Sequence, residues 1–217
     1  MSKYTEPEWS KSALITIDTQ CDTLDGQPFE VPGTSAILPR IEALLNIYRK
    51  ADMPIIHLVR IYKEDGSNVD LCRRDLIEGG TKFMLAGSPG SQLALELLPR
   101  GGIELDTELL LSGGIQRLNP NEVVIYKPRW GAFYNTPLEQ YLRKLGISTL
   151  VFSGCNFPNC PRTSIYEASE RDFRVVLVED AISGLYEQGR RELCNIGVEL
   201  FSVKQVIDAV KHSVELG

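Results

Sequence analysis

Apolar residues fall in short runs separated by amphipathic stretches. Residues 13–18 (ALITID), 54–59 (PIIHLV), 123–127 (VVIYK), 149–153 (TLVFS), 174–178 (RVVLV) and 198–202 (VELFS) are such runs. Runs this short, apolar on consecutive positions, predict strands buried on both faces of a parallel sheet. Between them, residues 39–50 carry Ile41, Leu44, Leu45 and Tyr48 at helical spacing. Residues 137–145 open on Thr136 as N-cap, Pro137 at the first position and Glu139 as capping-box partner, and stop at Gly146. A helix over 203–214 closes the chain. Alternation of this kind predicts an α/β chain: a three-layer α/β/α Rossmann-like sandwich around a mostly parallel six-stranded sheet. Residues 1–217 read as one domain, with residues 1–11 a loose arm and 60–82 a long polar excursion.

Composition narrows the function. The chain has 217 residues, 43% hydrophobic and 24% charged, with 23 Lys and Arg against 29 Asp and Glu, for a net charge of −6. The acidic balance gives no reason to expect nucleic acid or an anionic membrane as partner. No apolar run is long enough to span a bilayer, and the first residues lack a signal-peptide core. Five cysteines, at 21, 72, 155, 160 and 194, have no disulfide-framework spacing and read as reduced thiols of a cytoplasmic protein. Two histidines, His57 and His212, are too few and too far apart for a zinc site. No metal and no cofactor is expected.

Open parallel sheets bind ligands beyond the carboxyl ends of their strands. Asp18 ends the first run, Lys127 the third, and the segment leading to Cys160 leaves the fourth, so a carboxylate, an ammonium and a thiol converge. Pro161 suits the first position of a helix, which makes Cys160 its N-cap, in a field that lowers a thiol's pKa. Each residue also has a plainer reading. Cys160 as a small buried side chain, Asp18 as a loop cap and Lys127 as a snorkelling residue all remain open, as does a Cys155–Cys160 redox pair.

Longer motifs add a resemblance. Residues 13–18 with Thr19-Gln20, the Tyr126-Lys127 segment with Gly131-Ala132-Phe133, and Gly154 through Cys160 with Ser164 and Ala168 resemble the isochorismatase-like cysteine hydrolases. Nicotinamidases, N-carbamoylsarcosine amidohydrolase and ureido or biuret hydrolases belong to that family. The resemblance implies a catalytic triad of Asp18, Lys127 and Cys160, and an oxyanion hole from the backbone N–H groups of Asn156 and Cys160. It also implies a cis peptide at 155–156, a homodimer or homotetramer, and C–N hydrolysis of a small amide, ureide or carbamoyl compound through a thioester. Isochorismatase-type ether hydrolysis and a non-catalytic binding role are the competing readings. Cys21-Asp22-Thr23 replaces the usual aromatic wall, and residues 60–70 lack a nicotinamidase metal set, so the resemblance leans away from nicotinamidase. Candidate substrate contacts are Gln20, Arg60, Trp130, Phe133, Tyr134 and Phe157, with Tyr62 as a further wall. Arg60, Arg73 and Arg74 are candidate anion grips, although loop arginines are often solvated.

Overall fold

A computed structural model describes residues 2–27, 29–99 and 102–215. Strands β1 (Ser12–Ile17), β2 (Ile55–Val59), β4 (Glu122–Tyr126), β5 (Thr149–Gly154), β6 (Arg174–Ile182) and β7 (Glu199–Phe201) run parallel. β3 (Ile115–Asn119) pairs antiparallel to β4, which makes the sheet seven-stranded rather than six-stranded. Its sequence, IQRLN, is half polar because an edge strand needs only one apolar face.

The strand order is β3-β4-β2-β1-β5-β6-β7. The chain builds outward from β1 on one side, then crosses back and builds outward on the other. β1 and β5 therefore flank the point where strand order reverses, and parallel sheets open a crevice there. Alternate residues of each strand enter opposite cores. Leu14, Ile55, Val124, Val151 and Val176 pack under α1 (Thr34–Lys50) and α7 (Val203–Glu215). Ile15, Ile56, Val123, Phe152 and Val175 pack under α4 (Leu138–Lys144), α5 (Cys160–Ser169) and α6 (Glu187–Asn195). Two short helices, α2 (Arg74–Glu78) and α3 (Thr107–Leu111), lie on the connections.

Three local expectations are corrected. α1 starts at Thr34 behind Gly33 and carries Pro39 inside it rather than at its start. Pro39 lies on the solvent face, where the backbone bond it removes is least costly. Pro137, not Thr136, caps α4, and Glu139 pairs with Arg143 and Arg171 instead of closing a capping box. The N-terminal arm is tied down: the Glu8 N–H donates to Thr149 Oγ1, Glu8 pairs with Arg174, and Trp9 meets Phe201 edge-on.

Candidate active site

The crevice at the β1–β5 junction is shaped first by a glycine. Gly154 has φ +115°, and a Cβ there would lie 2.3 Å from the Ile17 carbonyl oxygen and 2.6 Å from its nitrogen. Only a hydrogen atom fits, so β1 and β5 close on each other at their carboxyl ends. Asp18, the next residue of β1, takes φ +47°. Asp tolerates this left-handed geometry better than most residues, and strain of this kind gathers at functional sites. Lys127 leaves β4 with its N–H donating to the Val59 carbonyl. Its fully buried Nζ donates to Asp18 Oδ2 at 2.9 Å.

Cys160 is the first residue of α5, with Asn159 as N-cap and Pro161 second. This moves the thiol one position from the expected N-cap, because proline serves the second helical position as well as the first. Cys160 lies in the first turn, where helix N–H groups have no intrahelical acceptor. Among the described residues, the backbone N–H groups of Asn156 and Cys160 have no protein acceptor. The peptide between Cys155 and Asn156 is trans, not the cis bond the resemblance implied.

The resting thiol is also not the low-pKa group expected from a helix start. Burial and the Asp18 charge together push Cys160 up to about 12 against the opposing pull of Lys127. Desolvation outweighs the helix field, so at neutral pH the sulfur is a thiol. Asp18 Oδ1 is buried and has no partner. The expected trio is therefore gathered in one place, with one lone-pair-bearing oxygen uncommitted.

A tie behind the trio holds two loops in register. Ser164 Oγ donates to the Cys160 carbonyl at 2.7 Å and accepts from the Ala132 N–H at 3.1 Å. One buried hydroxyl so joins the thiol's helix to the loop that follows Lys127.

Asp18, Cys155, Asn156, Asn159 and Cys160 line a cavity of about 70 Å³, with Thr23, Phe29, Val31, Arg60, Arg73, Phe83 and Met84. The excursion over 60–82 folds across its mouth. Arg60 is buried, donating to Asp70 Oδ2 and to Tyr62 Oη. Arg73 Nη1 donates to Tyr62 Oη at 2.7 Å, and the Arg73 guanidinium lies over Phe83 and Trp130.

Of the expected substrate contacts and anion grips, Arg60 and Arg73 line this cavity. Gln20 is spent on the backbone: Nε2 donates to the Arg60 and Ser91 carbonyls, and Oε1 accepts from the Arg60 N–H. It positions Arg60 rather than facing a ligand. Phe157 is fully buried against Tyr186, Phe133 packs on Phe173, and Tyr134 is exposed. Trp130 reaches the site only through Arg73, and Tyr62 supplies its hydroxyl to the arginines instead of a wall. Arg74 is exposed, outside the cavity. Phe29, Val31, Phe83 and Met84 are the apolar lining, and no periodicity marks them, because only the folded loops bring them together.

His57 bonds Thr16 and Glu122 beneath the sheet's far end and takes no part in this cavity. Among the described residues no helix is long and apolar enough to cross a membrane.

Fold and crevice belong to a known class of three-layer α/β proteins. The isochorismatase domain model matches residues 12–108 and 111–202, and the chain belongs to the isochorismatase family. It is 26% identical to a probable inactive nicotinamidase of Arabidopsis thaliana, over 88% of this chain and 92% of that one. It is 29% identical to the ureidoacrylate amidohydrolase of Methylobacterium radiotolerans, over 84% and 72%. The structure of an isochorismatase family protein from Desulfovibrio vulgaris superposes with a TM-score of 0.78 at 30% identity, covering 93% of this chain and 98% of that one.

Proposed function

We propose that the chain is a cysteine-dependent amidohydrolase that cleaves the C–N bond of a small amide, ureide or carbamoyl compound. The observation that carries this reading is the buried Lys127–Asp18 pair, with Asp18 Oδ1 unpartnered, beside a thiol at a helix start. The ureidoacrylate amidohydrolase relative supports the same class of bond.

In this reading Asp18 Oδ1 takes the thiol proton as Cys160 Sγ adds to the substrate carbonyl carbon. A buried thiol of raised pKa needs such a base, since it does not ionise by itself at neutral pH. Negative charge moves to the carbonyl oxygen, where the free N–H groups of Asn156 and Cys160 receive it. Lys127 balances the carboxylate while it is ionised. Asp18 then returns its proton to the departing nitrogen, the C–N bond breaks, and a thioester on Cys160 remains. Water, losing a proton to Asp18, adds to the thioester. The acid leaves, and the sulfur recovers the proton.

All five cysteines are free, which fits a reducing cytoplasm. A homodimer or homotetramer belongs to the same reading.

The test is ammonia release from a panel of small amides, ureides and carbamoyl compounds, by wild type and Cys160→Ala. Turnover of one panel member that vanishes in Cys160→Ala, with a trapped acyl adduct of matching mass on Cys160, is the expected result. Turnover that survives in Cys160→Ala overturns the thioester route and points to water attack driven by Asp18.

A further inference from the structure

Arg60 is an unusual resident of an apolar pocket. It is 2% exposed, and its Nη2 serves Asp70 and Tyr62, but Nε and Nη1 have no hydrogen-bond partner. A buried donor without an acceptor carries its full desolvation cost, and a cationic one carries more. The fold nevertheless fixes this side chain firmly. Gln20 clamps the Arg60 backbone at both N–H and carbonyl, and Asp70 clamps the guanidinium. A rigid, partly unsatisfied cation is what an anion site looks like before its ligand arrives.

Charge around the cavity leans the same way. Arg60, Arg73, Lys127 and Arg129 bring four positive charges against the three carboxylates of Asp18, Asp70 and Asp22, whose Oδ2 accepts from the Met84 N–H. Asp70 is itself shared among Arg60, Arg73 and Arg129, so it does not cancel one cation outright. The thiol, protonated at rest, adds no negative charge. An incoming anion would restore the balance. Aliphatic and aromatic lining from Val31, Phe29, Phe83 and Met84 leaves space for a short carbon spacer. About 70 Å³ holds roughly two waters at about 30 Å³ each, so only a small ligand fits beside the thiol.

On the basis of the cysteine-hydrolase reading above, we propose that the substrate is a small ureido, carbamoyl or amide acid whose carboxylate is held by Arg60, with Arg73 beside it. Arg60 and Arg73 bind one end of such a molecule while the carbonyl at the other end faces Cys160. Asp18 Oδ1, an acceptor, meets the N–H side of the scissile group. A neutral amide of the same size leaves the Arg60 donors unpaired and binds less well for that reason.

The test needs no knowledge of the true substrate. Iodoacetate and 3-bromopropionate are compared with their neutral amides as alkylating agents at pH 7.5, and peptide mass spectrometry reads the rate at Cys160. The exposed Cys72 and Cys194 in the same molecule give the reference ratio. At least one carboxylate reagent is expected to modify Cys160 about tenfold faster than its amide, relative to the reference cysteines. In Arg60→Gln that preference should collapse to the reference ratio, and in Arg60→Lys, which keeps the charge, part of it should remain. A neutral-reagent preference at Cys160 in wild type overturns the anion site while leaving the nucleophile intact. A carboxylate preference that persists undiminished in both variants removes Arg60 from the role. No modification of Cys160 by any reagent overturns the nucleophile, and the anion site with it.

Discussion

Two buried ion clusters sit on this one sheet, and they are built to opposite specifications. At the start of β4, Glu122 accepts from His57 Nε2 at 2.8 Å, from Arg49 Nε at 2.9 Å and Nη2 at 2.6 Å, and from Asn119 at 2.9 Å. The other nitrogen of His57 meets Thr16 Oγ1 at 2.7 Å, so the ring is bonded at both ends. At the carboxyl ends of β1, β2 and β4, by contrast, Asp18 Oδ1, Asp70 Oδ1 and two Arg60 nitrogens have no partner. A saturated network stabilises the folded state, whereas an unsaturated one costs stability and keeps lone pairs and protons for a ligand. Buried charge by itself therefore does not mark a site; unspent hydrogen-bonding capacity gathered in one place does, whereas the lone unpartnered Arg174 Nε lies away from the cavity.

Substitutions should pull the two clusters apart. Cys160→Ala should reduce turnover by about a thousandfold or more with little change in unfolding free energy. Steady-state ammonia assays and urea denaturation of the same samples check both halves. Asp18→Asn should lower kcat by about 10²–10⁴, the range for loss of a positioned proton carrier. Its melting temperature should fall as well, because fully buried Lys127 loses its counter-charge, so kcat is read on the folded fraction. Glu122→Ala should act on stability alone, costing about 3–5 kcal/mol by leaving buried His57 and half-buried Arg49 without their acceptor. The kcat of whatever still folds should stay near wild type. If Glu122→Ala abolishes turnover in folded protein, the division into a structural and a chemical cluster is wrong.

Acid should sharpen the contrast. Hydrogen bonds from His57 and Arg49 outweigh burial and hold the Glu122 carboxyl at about 2, below its ordinary 4.5. A carboxyl depressed by folding adds stability above its unfolded value, and that stability is lost as pH falls from about 4.5 toward 2. The urea midpoint of wild type should decline through that window, and the decline should be shallower in Glu122→Gln. A smaller effect is expected of Ser164→Ala, which cuts the link between the Cys160 carbonyl and the Ala132 N–H. Its cost should be about 1–3 kcal/mol, with a few-fold fall in kcat.

Much of this arrangement is legible in the chain, for reasons that can be named. Fully buried parallel strands must be apolar throughout, so β1, β2, β4 and β5 stand out, as do the polar residues at their ends. Asp18 and Lys127 are visible for that reason. β3 is not, since a half-polar edge strand has neither a clean alternation nor a continuous apolar run. The cavity wall is harder still. Aromatic residues close to the motifs in sequence, such as Phe133 and Phe157, serve the core. Phe29 and Phe83, far from the motifs, stack on each other at 3.8 Å between ring centroids and supply apolar lining. Local sequence carries no record of such long-range meetings. The thiol's ionisation does not follow from the helix start alone, because depth of burial is a tertiary property.

The seam at Gly154 has a consequence for how this protein can change. A side chain at that position would wedge the two central strands apart, and Asp18 would retreat from the turn that holds Cys160. Reach between the proton carrier and the sulfur is thus set by the absence of a methyl group. Altered chemistry by drift or by engineering has to come through the loops at the mouth, where Arg60 and Arg73 stand, because the hinge line beneath them admits no alternative residue.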